Sequence, residues 1–187
     1  NSYGYFFPML HARYQVTPEI PAHGNSYTNH PVAGVSWYGA VKYCNWLTIE
    51  TGRGATERCY REGPSPENWA PVTCSATNWA NGYFSPGARR EWLEYRGFRL
   101  PMDNCAQPAG LADPFFLVEN AEFVRFLNDA ERHLDSPKGA YMLMDTVGNV
   151  WMNPGMQEDR HDLFSIAASR IVYNPNAPPG ERYSVRE

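Results

Sequence analysis

Charge is what this chain has least of. Only 19% of its 187 residues are Asp, Glu, Lys or Arg, and the formal net charge is −4. The basic residues are scattered, with Arg89-Arg90 the one adjacent pair. That leaves no electrostatic footprint for nucleic acid. No run approaches the roughly 18 apolar residues a membrane helix needs, and no stretch reads as a signal peptide. Cysteine is scarce too: Cys44, Cys59, Cys74 and Cys105 are too few for a disulfide scaffold at this length. None has the C-x-x-C spacing of a thioredoxin-like motif or a zinc knuckle. Cys59 and Cys74 flank one irregular insertion and are placed to bridge in an oxidising compartment, with Cys105 an alternative partner for either. The 5 histidines, His11, His23, His30, His133 and His161, include no i, i+4 pair, so no two imidazoles share a helix face. A Gly-rich phosphate loop and a G-x-S-x-G elbow are also missing.

What is present is apolar and aromatic. Apolar residues make up 43% of the chain, which predicts one folded domain able to bury a substantial core. Aromatics reach 14%, with 6 Trp and 12 Tyr beside 15 Gly and 16 Pro. That balance predicts a loop-rich fold in which rings fill the space between regular elements, and it also suits ligand-binding surfaces.

Residues 1–29, with Pro8, Pro18, Pro21 and Gly24, read as looped chain. Val32 to Val35 then reads as a short strand running into a helix capped by Ser36, whose hydroxyl can accept from a first-turn N–H. Trp37, Ala40, Cys44 and Leu47 recur at helical spacing and define its apolar face. This helix is expected to end near Thr51, before Gly52 and Gly54. The irregular insertion 53–86 holds Trp69, Trp79, Tyr83 and Phe84. Ala88 to Tyr95 reads as a helical turn or two, and Gly97 to Pro101 as a turn and a strand stopped by proline. After a break at Pro108-Ala109-Gly110, a second helix buries Phe123, Phe126, Leu127, Ala130 and Leu134 and turns Glu119, Glu122, Asn128, Asp129 and Glu131 outward. Tyr141–Met144 and Val150–Met152 flank a Gly-Asn turn as a hairpin. Asp162–Ala168 is a short helix or strand, and 174–180 a proline-rich loop.

The stretch His30-Pro31-Val32-Ala33-Gly34-Val35-Ser36-Trp37-Tyr38-Gly39-Ala40-Val41-Lys42-Tyr43-Cys44-Asn45-Trp46-Leu47, followed by Gly97-Phe98-Arg99-Leu100-Pro101, resembles the sulfatase-modifying-factor family, which includes formylglycine-generating enzymes. There HPV-x-x-VSW-x-x-A-x-x-YC-x-WL leads, after a variable insertion, into G-[YF]-RLP. The resemblance implies an α+β, C-type-lectin-like, loop-rich fold: two main helices with short antiparallel strands, in a single domain over 1–187. Val118 to Asn128 resembles the family's opening V-T-N-A-E-F-x-x-F-L-N helix, yet here it follows the RLP segment. Three explanations fit that order. The domain is permuted, with 1–104 carrying the VSW-to-RLP half and 111–187 the N-A-E-F half. The chain is a fragment or spans two repeats. Or Gly148-Asn149-Val150-Trp151 is the family's G-N-V-W-E-W strand and the N-A-E-F match is coincidental.

In that family formylglycine-generating enzymes hold copper with a pair of cysteines near the C-terminal end, after R-V-x-R-G-G-S-W; soft thiolates suit Cu(I). Arg170-Ile171-Val172-Tyr173-Asn174 stands where that motif would begin, and no cysteine follows Cys105. Cys44 matches the structural YC-x-W position, a buried small hydrophobe. Calcium is the metal that hard oxygen ligands of a lectin-like loop would take, with Asp145 and Asn149 as ligands and Asp103-Asn104 as further candidates. Such residues also commonly serve the turn itself. The expected function is a non-catalytic binding module outside the cytoplasm, extracellular or periplasmic. Its ligand is a protein or carbohydrate met by Trp69, Trp79, Asn81, Tyr83 and Phe84, with Tyr3, Tyr5, Tyr14 and Tyr27 as a second set. No nucleic acid and no membrane span are expected, and an oligomer is compatible. Two alternatives stand: a copper-dependent formylglycine-generating oxidase whose catalytic part lies outside this chain, and a structural subunit of an extracellular assembly.

Overall fold

The computed structural model describes residues 27–100, 118–152 and 162–186. Its centre is helix α1, Trp37–Glu50. Ser36 caps it as expected, its hydroxyl accepting from Gly39 N at 3.1 Å. The stripe Trp37, Ala40, Cys44 and Leu47 is not the buried side of an otherwise wet helix. Val41, Trp46, Lys42, Asn45 and Thr48 are fully buried, so neighbours enclose the helix on nearly every side. A polar residue tolerates such a position only when it is hydrogen-bonded.

Among the described residues, four α-helices carry the fold. Ala76–Ala80 (α2) lies in the insertion and Pro86–Glu94 (α3) follows it, and they are capped by Ser75 and Ser85. Asn120–Arg132 (α4) crosses α1, where Tyr43 stacks on Phe123 at 5.8 Å and Phe126 meets both Tyr43 and Trp46. Such aromatic pairs add about 0.5–1.5 kcal/mol each beyond area burial. α4 ends before Leu134, which is 43% exposed instead of packed inward. Glu131 and Asn128 are turned to neighbours, because the C-terminal hairpin needs them. Glu131 accepts from Gly180 N at 2.7 Å and pairs with Arg182 at 2.9 Å, and the Asn128 amide bonds both backbone groups of Tyr183.

The strands are short and antiparallel. Tyr60–Arg61 (β1) pairs with Ala70–Pro71 (β2) inside the insertion. Met142–Met144 (β3), Val150–Met152 (β4) and Asp162–Phe164 (β5) form a three-stranded sheet in that order. Ile171–Tyr173 (β6) and Tyr183–Val185 (β7) form the last hairpin, joined by the proline-rich loop. The segment 162–168, ambiguous in sequence, is strand β5 followed by a 3₁₀ turn at Ile166–Ala168.

Two expected strands do not form ladders. Val32–Val35 is joined to its neighbours by isolated bridges, Pro31 to Glu119 and Val35 to Phe164, and Val32 N donates to Val118 O at 2.9 Å. Gly97–Leu100 joins no strand, and side chains bond its backbone instead. Thr48 Oγ1 accepts from Phe98 N at 2.9 Å, and the Tyr60 hydroxyl accepts from Leu100 N at 3.0 Å. Arg99 meanwhile donates to the carbonyls of Trp92, Leu93 and Tyr95 at the end of α3. A Cβ at Gly97 would strike the Glu57 carbonyl, which explains the glycine.

Candidate functional site

Lys42 sits mid-helix between Val41 and Tyr43, where a charge needs a partner. The partner is Glu62, just past β1, whose Oε2 lies 2.6 Å from Lys42 Nζ with both side chains 0% exposed. Glu62 Oε1 accepts from Asn45 Nδ2 at 2.7 Å, and Lys42 also donates to Pro137 O at 3.2 Å. Burial pushes the Lys42 pKa below its ordinary value, and attraction to Glu62 only partly restores it. The pair pins the insertion to α1 and to the loop after α4.

Above this pair opens a cleft of about 410 Å³ lined by Arg61, Glu62, Gly63, Pro64, Asn68, Ala76 and Tyr141. One wall is fixed: Trp69 Nε1 donates to Gly63 O at 2.9 Å, and Asn68 Oδ1 accepts from the backbone and hydroxyl of Ser65. A Cβ at Gly63 would collide with the Asn68 side chain. The facing wall is Tyr141, whose φ of 61° is left-handed. It occupies the third position of the turn closed by Met142 N to Gly139 O, a place glycine usually takes when φ is positive. For a bulky residue that conformation costs roughly 1–2 kcal/mol. Strain of this kind collects at ligand clamps.

The residues expected to meet a ligand separate into core and surface. Trp69 is fully buried and is a core residue, edge-on to Tyr38 at 5.7 Å, so it cannot face a partner. Phe84 is half-buried between Trp79 and Trp92, where its ring serves packing. Trp79 is half-buried on Trp37 at 5.8 Å. Asn81 ends α2 and is exposed, and Tyr83 is 56% exposed. Tyr27 is half-buried against His30 and the Arg170 guanidinium. Tyr3, Tyr5, Tyr14, Asp103 and Asn104 lie outside the described residues. Sequence reasoning missed Arg61, Glu62, Asn68 and Tyr141. The one available signal was Lys42, a charge between Val41 and Tyr43 in the middle of a largely apolar helix.

The candidate calcium ligands do not fit a cation. Asp145 Oδ1 accepts from Val147 N and Asn149 N, and Oδ2 from Asn149 Nδ2 and Trp151 Nε1, all at 2.9–3.0 Å. Asn149 Oδ1 is taken by Ile166 N. Burial disfavours the Asp145 carboxylate, but these donors outweigh it and hold its pKa below the usual range. The oxygens serve the turn. Among the described residues, no three His, Cys, Asp or Glu gather where a metal could be held.

Nor do the described cysteines fit Cu(I), which needs thiolates. The expected Cys59–Cys74 bridge is not formed. Both are free, Cys59 donating to Gly97 O at 3.2 Å and Cys74 to Tyr83 O at 3.5 Å, because the insertion directs them to different carbonyls. Burial raises the thiol pKa of all three, Cys44 to about 12. They are held as thiols, and Cys44 packs as the core residue its motif position implies.

Helices and short antiparallel strands around α1, with an open cleft in the insertion, define an α+β domain of mixed build. The chain belongs to the sulfatase-modifying factor enzyme 1-like domain family, whose model matches residues 12–153 and so spans both the VSW helix and the N-A-E-F helix. No curated protein and no solved structure matches the chain. Among the described residues no helix is long and apolar enough to cross a membrane.

Proposed function

We propose that this is a non-catalytic, extracytoplasmic binding module of the family, using the face of the insertion that carries the cleft and the adjoining Trp79, Asn81 and Tyr83. The observation that carries the reading is the contrast between that face and the described cysteines. The cleft is open, its walls are pre-formed and one of them is strained, whereas the thiols are buried and protonated. Pre-formed concave sites with a few polar groups are the usual form of a binding site.

Family membership favours a second reading, copper-dependent formylglycine generation completed by parts of the protein beyond the described residues. One pair of experiments separates the two. Copper-loaded full-length protein is incubated with a Cys-x-Pro-x-Arg peptide and the products are weighed by mass spectrometry. In parallel, the protein and its Tyr83→Ala variant are tested on immobilised glycan and peptide panels. The binding module leaves the peptide unchanged and retains a ligand that Tyr83→Ala loses without a change in melting temperature. Aldehyde formation, or binding indifferent to Tyr83, would overturn the proposal.

A further inference from the structure

Of the asparagines in this chain, Asn81 alone is followed by glycine. It closes α2 as the C-cap, with φ −85° and ψ 5°, and both it and Gly82 are exposed. Its side-chain amide makes no hydrogen bond among the described residues. The amides of Asn120, Asn128 and Asn149, by contrast, bond Tyr27 O, Tyr183 O and Asp145 Oδ2. Gly82 has a φ of +70° and nothing within 4 Å of the place a Cβ would take. An amide carbon free to turn therefore stands next to a backbone nitrogen that no side chain shields. Two bonds hold the turn: Gly82 N donates to Trp79 O at 2.9 Å, and Tyr83 N to Asn78 O at 2.8 Å. With 5 residues, α2 is too short to persist on its own hydrogen bonds, so those two are what local opening gives up.

We infer that Asn81 is a modification site, converted without an enzyme to aspartate and isoaspartate. Gly82 N attacks Asn81 Cγ. A C–N bond forms, the Cγ–Nδ2 bond breaks, and the amide leaves as ammonia with the proton that Gly82 N gives up. The product is a five-membered succinimide, which water then opens. Cleavage between the ring nitrogen and Cγ gives aspartate. Cleavage between that nitrogen and the Asn81 main-chain carbonyl carbon gives isoaspartate, with the chain running through Cβ and Cγ. No oxidant or reductant is needed, since the net change is water in and ammonia out. Either product adds a carboxylate between Trp79 and Tyr83, on the face proposed above to bind, and so ties the charge of that face to the age of the protein. The conversion itself does not depend on that reading.

The full chain and a synthetic peptide of residues 76–86 are incubated side by side at neutral pH. Peptide mapping by mass spectrometry follows the exchange of the side-chain NH2 for OH, and enzymatic methylation of isoaspartate marks the β-linked product. At the usual net worth of a hydrogen bond, the two bonds slow the folded protein by about fivefold to about 150-fold relative to the peptide. Denaturing urea removes that protection and brings the chain to the rate of the peptide in the same urea. Asn78, in the same helix but followed by Trp79, stays unconverted. Asn81→Gln, which needs a larger ring, also stays unconverted and keeps the melting temperature of the unaltered protein. Conversion of the folded protein slower than the stated range, a rate unaffected by urea, or as much product at Asn78 as at Asn81 would overturn the inference. None of these results changes the Tyr83-dependent retention described above, so failure here and failure of the binding reading are told apart.

Discussion

Replacing Glu62 by Gln removes the charge that compensates Lys42 and nearly preserves side-chain volume. The two charged groups lie 2.6 Å apart with no exposed side-chain surface, so nothing in solvent can substitute for the carboxylate. Breaking a buried pair from one side costs about 3–5 kcal/mol, since the remaining charge keeps its desolvation penalty. At roughly 2–4 °C per kcal/mol for a chain of this size, the melting temperature should fall by roughly 6–20 °C. The loss should depend on pH. Burial already lowers the Lys42 pKa and Glu62 pulls it back up, while Arg58, 3.9 Å from Glu62, pushes it down. Without Glu62 the lysine sheds its proton on folding at lower pH. The folded state then binds fewer protons than the unfolded one, so stability rises with pH toward the unfolded lysine value of about 10.4. Urea titrations at about pH 7 and about pH 9.5 should therefore show the deficit narrowing as pH rises. Lys42→Met added to Glu62→Gln should recover most of the loss, because the uncompensated charge is gone. A single-variant deficit below about 1 kcal/mol, or a double variant no more stable than Glu62→Gln, would refute the account of the pair as a buried, mutually dependent unit.

Asp145→Asn places an N–H where two donors now converge, and should cost about 1.5–3 kcal/mol in urea unfolding at neutral pH. Because the Asp145 pKa is held low in the folded state, its contribution is complete above the unfolded value of about 3.9 and is lost as pH falls through the folded one. The acid limb of a stability–pH curve should accordingly flatten in the variant. Asp129, also held low, with burial opposed by bonds from Trp46 and Lys138, supplies the part that remains; an unchanged limb would count against this role for the turn. Gly39→Ala drives a Cβ into the Leu163 carbonyl, where α1 meets β5, whereas Gly87 in α3 faces open space. The first change should destabilise by about 1–3 kcal/mol, and Gly87→Ala should stabilise by about 0.5–1 kcal/mol; thermal melts showing the same sign for both would contradict the packing described.

Much of the frame is local physics, and local physics is written in sequence. Ser36 before a periodic apolar run set the start of α1, the spacing of Phe123, Phe126, Leu127 and Ala130 set the inner face of α4, and turn residues between apolar runs set the β3–β4 hairpin. Motif likeness carried the family, which the match over 12–153 shows. Burial on both sides of α1 was not legible, because it depends on the insertion folding back over a helix that looks one-sided by periodicity alone. The same fold-back decided that Trp69 is core and Tyr83 is surface, though the two look alike as aromatic residues in one irregular segment. It also decided which carboxylate Lys42 finds. Composition determined that a domain with a large aromatic core would form, and spacing determined its two long helices. Only the tertiary structure brought Arg61, Asn68 and Tyr141 to one cleft and turned Glu62 away from it, since contacts between residues up to 80 positions apart are set by packing and desolvation, which no local pattern encodes.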